Sequence, residues 1–163
     1  MRILFLALRA FIFAGCFFYF WGWLALTVRP CDSNLGGKLP TWLAPVGWSL
    51  VVLGLPLALT CVVLFVFRGR GTPAPFDPPR EFVATGPYRR VRNPMYLGGL
   101  AVLLGSGLIL LSPSIVLLAV GFIVLAHLFV VFYEEAALEG SFGASYLEYK
   151  RSVRRWLPRW RRE

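Results

Sequence analysis

Two polar clusters flank the last apolar runs of the chain. One is Gly86-Pro87-Tyr88-Arg89-Arg90-Val91-Arg92-Asn93-Pro94-Met95-Tyr96; the other is Glu134-Glu135. Asn is favoured as a helix N-cap and Pro at the first helical position, so a helix is predicted to start at Pro94. Its unpaired first amides, beside Arg89, Arg90 and Arg92, would form an anion site. The Tyr96 hydroxyl, three residues past the cap, can join it. Gly98 and Gly99 would let a backbone or a flat ligand approach closely. Glu134 and Glu135 pose the opposite problem. Adjacent carboxylates at the end of a long apolar run are costly without a cation, and the dipole at a helix C-terminus disfavours them.

The elements that must position these clusters follow from composition. The 163 residues are 58% hydrophobic and 15% charged, with long stretches carrying no charge. That pattern indicates an integral membrane protein of a single domain, 1–163. Apolar runs predict transmembrane helices at about 3–28, 43–67, 94–111 and 114–133, helical because lipid-exposed backbone must pair with itself. Ser112-Pro113-Ser114 is a short break, so the last two spans should form a tight antiparallel hairpin. Pro56, in mid-helix, predicts a kink. Phe13-Ala14-Gly15-Cys16 resembles a lipoprotein cleavage box, but the apolar run continues to Val28, too long for a signal segment, and reads as a retained span.

Lys and Arg concentrate in the 68–93 loop and the 134–163 tail, which places both, and both termini, in the cytosol. The net charge of +9 therefore points to anionic lipid rather than nucleic acid. In the tail, Leu138, Phe142, Tyr146, Tyr149, Val153, Trp156 and Trp160 recur at helical period, opposite Arg151, Arg154 and Arg155. This predicts a C-terminal amphipathic helix in the membrane interface, weakened at Gly140 and Gly143 and ended by Leu157-Pro158. The expected fold is thus all-α, with four transmembrane helices and one interfacial helix. Cys16, Cys31 and Cys61 have no metal-type spacing, and no metal site is expected. Gly99, Gly105 and Gly107 would allow close helix contact.

A hairpin of the last two spans brings Asn93 and the Glu134–Glu135 doublet to one membrane face. The resulting mouth has an anion site on one wall and carboxylates on the other. It would suit a zwitterion with a further fixed positive charge, such as S-adenosylmethionine. A structural clasp, Arg92 paired with Glu134 or Glu135, is the competing reading of the same residues. His127, seven residues before Glu134, would lie about two turns away on nearly the same face. It is either near an acceptor or a buried neutral histidine bonded to a neighbouring helix. Arg9 would snorkel to the interface.

The run from Gly86 to Gly98, followed after two spans by Glu134-Glu135, Leu138, Phe142-Gly143, Tyr146, Tyr149 and Val153, resembles the isoprenylcysteine carboxyl methyltransferase family. It is similar also to the wider group of membrane methyltransferases that includes phospholipid N-methyltransferases. The resemblance covers roughly 82–158, about half the chain. It implies that Arg92, Pro94, Tyr96, Glu134 and Glu135 bind S-adenosylmethionine near the cytosolic face. Asn93 stands where many members carry His; it can cap and hydrogen-bond but cannot become cationic. The resemblance further implies Gly86, Tyr88, Leu97 and Gly98 as secondary cofactor contacts. Methyl transfer from a sulfonium is an in-line displacement that needs alignment and exclusion of water rather than a metal. Arg92 and His127 are the only candidates for a direct catalytic part. The acceptor would be a lipophilic small molecule or a lipidated group reached from the bilayer, with the loop and tail as a cover. A non-enzymatic scaffold or small transporter is the alternative; a reductase lacks support because no Gly-rich dinucleotide fingerprint occurs.

Overall fold

The computed structural model describes residues 2–72 and 80–158. Every regular element among them is helical: α1 (Arg2–Val28), α2 (Ala44–Phe67), α3 (Pro94–Ile109), α4 (Pro113–Phe129), α5 (Glu135–Phe142) and α6 (Ala144–Ser152), with short 3₁₀ segments between. Three apolar helical runs are long enough to cross a membrane, Ile3–Leu35, Thr41–Phe67 and Pro113–Phe142; Pro94–Ile109 is apolar but shorter. The proline-rich stretch 73–79 and the tail end with Trp160 lie outside the described residues.

α2 and α3 form the most extensive helix contact, and small residues make it possible. A Cβ on Gly47 would stand 2.6 Å from the Gly105 carbonyl oxygen, and one on Gly98 would stand 2.8 Å from both the Ala58 nitrogen and the Gly54 oxygen. Gly107 lies similarly close to Val116 at the start of α4. Two of the three glycines expected to serve helix contact are thus used within this chain. α2 continues through Pro56 without interruption.

The turn between α3 and α4 is held from the first loop. α3 ends at Ile109, two residues earlier than the apolar pattern suggests, and Leu111 turns the chain at φ +53°. Ser112 is the N-cap of α4, its Oγ accepting from the Ile115 N–H at 3.3 Å. Asp32, in the 3₁₀ segment Arg29–Leu35, accepts from Ser112 Oγ at 2.8 Å and from the Ser114 N–H at 2.9 Å.

At the other end α4 does not stop near 133. It passes through a π turn, Val130–Glu134, directly into α5. Gly143, at φ +51°, then breaks the tail between α5 and α6, as its glycines suggest. α6 ends at Ser152, before Leu157-Pro158, and Val153 is extended. The chain there doubles back: the Arg92 N–H donates to the Arg154 oxygen at 2.9 Å, and the Asn93 N–H to the Arg155 oxygen at 3.3 Å. The tail is therefore two short helices and a returning strap. Its aromatic face, expected against lipid, is turned into the protein: Tyr146 and Tyr149 are buried. Their rings, with that of Phe142, pack on Phe82 from the second loop, with centroids 5.0–5.9 Å apart. Such edge and tilted ring contacts favour the aromatic face turning inward.

Candidate functional site

A cavity of about 230 Å³ opens where the start of α3 meets the π turn and α5. Tyr88, Arg92, Asn93, Tyr96, Glu134 and Glu135 all border it. The two sequence clusters therefore converge on one space. Phe82, Tyr146 and Tyr149 complete its wall from the loop and tail.

The carboxylate doublet divides. Glu135 is buried and accepts from Arg155 Nε at 2.6 Å; Lys150 Nζ lies 3.2 Å and Arg92 Nη1 3.3 Å from its oxygens. Lys150 also reaches Glu139 at 2.6 Å. Glu135 thus ties the segment leading into α3, α6 and the strap together, and the Arg92 clasp expected of the doublet falls to it alone. Glu134 has a different neighbour: the Tyr96 hydroxyl donates to its carboxylate at 2.9 Å. Among the described residues no cation pairs with Glu134.

Arg92 is the main donor left over. Its side chain is 10% exposed, yet Nε has no acceptor and Nη1 has only the ion contact with Glu135 at 3.3 Å. Buried guanidinium donors without acceptors are costly, and such a group beside a cavity suits an anionic ligand.

The remaining site candidates fall into place differently. Asn93 does precede Pro94 at the first helical position, but its side chain makes no cap. Its Nδ2 donates instead to the Arg155 carbonyl at 3.4 Å, because the strap lies over the helix start. Gly86, Pro94, Leu97 and Gly98 do not border the cavity. Pro94 is fully buried as the first residue of α3, Gly98 is taken up by α2, and Gly86, at φ +59°, opens the 3₁₀ segment Gly86–Arg89 that carries Tyr88 to the wall.

His127 is neither buried nor at the cavity. It is exposed on α4, and its Nδ1 accepts from Trp156 Nε1 at 3.0 Å. The π turn lies between it and Glu134, and the wider i→i+5 turn removes the shared face that an uninterrupted α-helix would give. Trp156 also stacks edge-on against Tyr96, with centroids 6.4 Å apart, so the strap touches the site on two sides.

Lys150, Arg155, Tyr149 and Trp156 are neighbours of the candidate site that spacing alone does not assign. The Tyr149 hydroxyl donates to the Tyr88 carbonyl at 2.7 Å. Burial pushes the phenols of Tyr88, Tyr146 and Tyr149 above their ordinary range. Hydrogen bonds to Glu139 and Glu135 raise Lys150, and that to Glu135 raises Arg155, so both cations stay charged.

A second cavity, about 400 Å³, lies among α1, α2, α3 and α4. Its lining is apolar and aromatic, and it shares Met95, Tyr96 and Phe129 with the first. Tyr96 thus stands between a polar and an apolar space.

A family model described as phospholipid methyltransferase matches residues 43–145, a stretch that contains Arg92, Tyr96, Glu134 and Glu135. No curated protein matches the chain.

Proposed function

The chain belongs to the phospholipid methyltransferase family, and on that premise we propose that it moves a methyl group from S-adenosylmethionine to a lipophilic or lipid-like acceptor at the cytosolic membrane face. It is an integral membrane protein, as its long apolar helices and its family both require. In this reading 1–163 is one domain. α3, 16 residues or about 24 Å long, crosses with α4 as an antiparallel hairpin and makes a fourth span. The termini and the 68–93 loop are cytosolic, following their Lys and Arg content.

The observation that carries the proposal is the position of Tyr96, which borders both cavities and bonds Glu134. The polar cavity is the cofactor site. Arg92, with Nε to spare, takes the carboxylate; Glu134, unpaired with any cation among the described residues, faces the positive groups. Asn93, uncharged, leaves the cationic part to Arg92. The cofactor supplies a methyl group on a sulfonium, already activated for displacement. The protein's part is alignment. Tyr96, fixed by its bond to Glu134, sets the boundary across which acceptor and donor face each other, and Met95 and Phe129 exclude water there. The apolar cavity holds the acceptor. Arg92 acts by binding, and His127 has no direct part.

The scaffold reading draws on the Glu135 cluster, which is a structural clasp. That clasp occupies Glu135 and leaves Glu134 and Arg92 Nε open to the cavity, so it coexists with a site rather than replacing one. Calorimetric titration of the detergent-solubilised protein with S-adenosylhomocysteine separates the readings. Binding is expected, weakened about tenfold or more in Tyr96→Phe, which loses a hydrogen bond to a charged group. No heat of binding in the wild-type protein would leave the scaffold.

A further inference from the structure

Behind the apolar cavity lies a third space of about 280 Å³, lined by α1, α3 and α4 as far as Leu110. It is apolar too; its Ser106 hydroxyl is already spent on the Val102 carbonyl at 2.8 Å. The second and third cavities meet at five residues, Phe17, Phe18, Trp21, Gly99 and Phe122. Four of these carry rings; Phe122 meets Trp21 and Phe17 edge to face, while Phe17 and Trp21 are tilted. Trp21 and Phe122 centroids are 4.9 Å apart, Phe17 and Phe122 6.0 Å, and Phe17 and Trp21 6.3 Å. The opposite side of this waist is bare backbone: a Cβ on Gly99 would lie 3.4 Å from Phe122 Cζ and 3.7 Å from Phe17 Cε1.

We propose that the Phe17–Trp21–Phe122 cluster, closing against Gly99, is a stop that limits the length of apolar chain the site accepts. The direction of the chain follows from the walls. Among the described residues the apolar cavity and the polar one share Met95, Tyr96 and Phe129, so the reacting head of the occupant lies there and its chain points toward the aromatic waist. Along α4, Phe129 to Phe122 is seven residues, a depth of about 10 Å. Along α3, Gly99 to Leu110 is eleven residues, about 16 Å more that the stop withholds. A chain longer than the first distance that stays within the protein displaces Phe122, which is 3% exposed and packed on Trp21.

The inference rests on the proposed acceptor site, but its test does not need turnover. The probe is a homologous series of straight-chain alkanols carrying bromine at the chain end, which quenches indole on contact. The protein is held in nanodiscs, and the signal of Trp21 is isolated by subtracting a Trp21→Phe variant. In the wild type, Trp21 quenching is expected to appear once the chain reaches the waist and to fall away at greater lengths. Phe122→Ala, which joins the two cavities, should shift that limit to longer chains. Gly99→Leu, which fills the waist, should shift it to shorter ones. Should Phe122→Ala not fold, Phe122→Leu and Gly99→Leu test the same point, since the two shifts are opposite in sign. A wild type without a length limit, or a limit unmoved in folded variants, overturns the stop. Movement of the limit in a protein that fails to bind S-adenosylhomocysteine leaves the stop standing and removes the methyl-transfer reading.

Discussion

Neutralising one carboxylate of the doublet at a time is expected to give two unlike proteins. Glu135→Gln keeps the volume and removes the charge that three cations share. The Arg92 and Glu135 side chains are 10% and 8% exposed, so Arg92 is left as an uncompensated buried charge, at a cost of about 3–5 kcal/mol. Lys150 and Arg155 are 34% and 27% exposed and remain partly solvated, so each adds little, roughly 0–1 kcal/mol. Glutamine retains an acceptor for Arg155 Nε, which favours the lower end, about 3 kcal/mol. For a chain of this size that lowers Tm by roughly 6–12 °C. Because Glu135 anchors the strap, limited proteolysis should also cut sooner after Ser152. Glu134→Gln keeps an acceptor for the Tyr96 hydroxyl and breaks no ion pair, so Tm should stay within about 2 °C, while S-adenosylhomocysteine binding weakens. Differential scanning fluorimetry and calorimetric titration on the two proteins side by side read this. Equal loss of Tm in both, or unchanged strap protection in Glu135→Gln, would refute the division of labour between the carboxylates.

Two further outcomes follow from packing and burial. Gly98→Leu places a side chain 2.8 Å from α2 backbone atoms, which cannot yield as a flexible side chain would; it should destabilise by about 1–3 kcal/mol or more, read as a lower Tm. Burial holds the Tyr88 and Tyr149 phenols above their ordinary range, so the folded state keeps protons that the unfolded chain releases above about pH 10. Melting temperature should be insensitive to these groups below that pH and fall as pH rises beyond it, less steeply in Tyr149→Phe; a rise would contradict the burial.

What sequence reasoning reached is the part carried by local chemistry. Pro94 as first helical residue, the break at Ser112-Pro113, the weakness at Gly143 and the meeting of Tyr96 with a glutamate all depend on a few neighbouring residues or on two helices joined by a short turn. What it missed depends on distant chain returning. Asn93 is a good cap by composition, but only the fold shows that Arg155 lies over it and takes its side-chain amide. The expected face of His127 assumes an unbroken α-helix, and apolar Val-Val-Phe-Tyr gives no sign of the π turn that shifts the register before Glu134. The tail's aromatic period was legible; its destination was not, because a face of Tyr, Phe and Trp fits lipid headgroups and a protein wall equally well. Gly98 and Gly99 looked alike as neighbours, yet one is consumed by α2 and the other opens on the apolar cavities.

The family match ends at residue 145, and the strap and α6 contribute beyond it. Lys150 and Arg155 come from that outer segment and neutralise Glu135. Without them two adjacent carboxylates would face the cavity, and Arg92 would be drawn wholly into pairing with the nearer one. With them, Glu135 is satisfied, Glu134 remains a single carboxylate bonded only by Tyr96 among the described residues, and Arg92 Nε stays unspent. A cavity with one such carboxylate and one such guanidinium discriminates by charge pattern: a simple anion meets Glu134, a simple cation meets Arg92, and only a ligand carrying both signs satisfies each. In the proposed methyl-transfer reading the tail therefore does more than cover the site. By neutralising Glu135 rather than Glu134, it would set the charge pattern to which the ligand conforms.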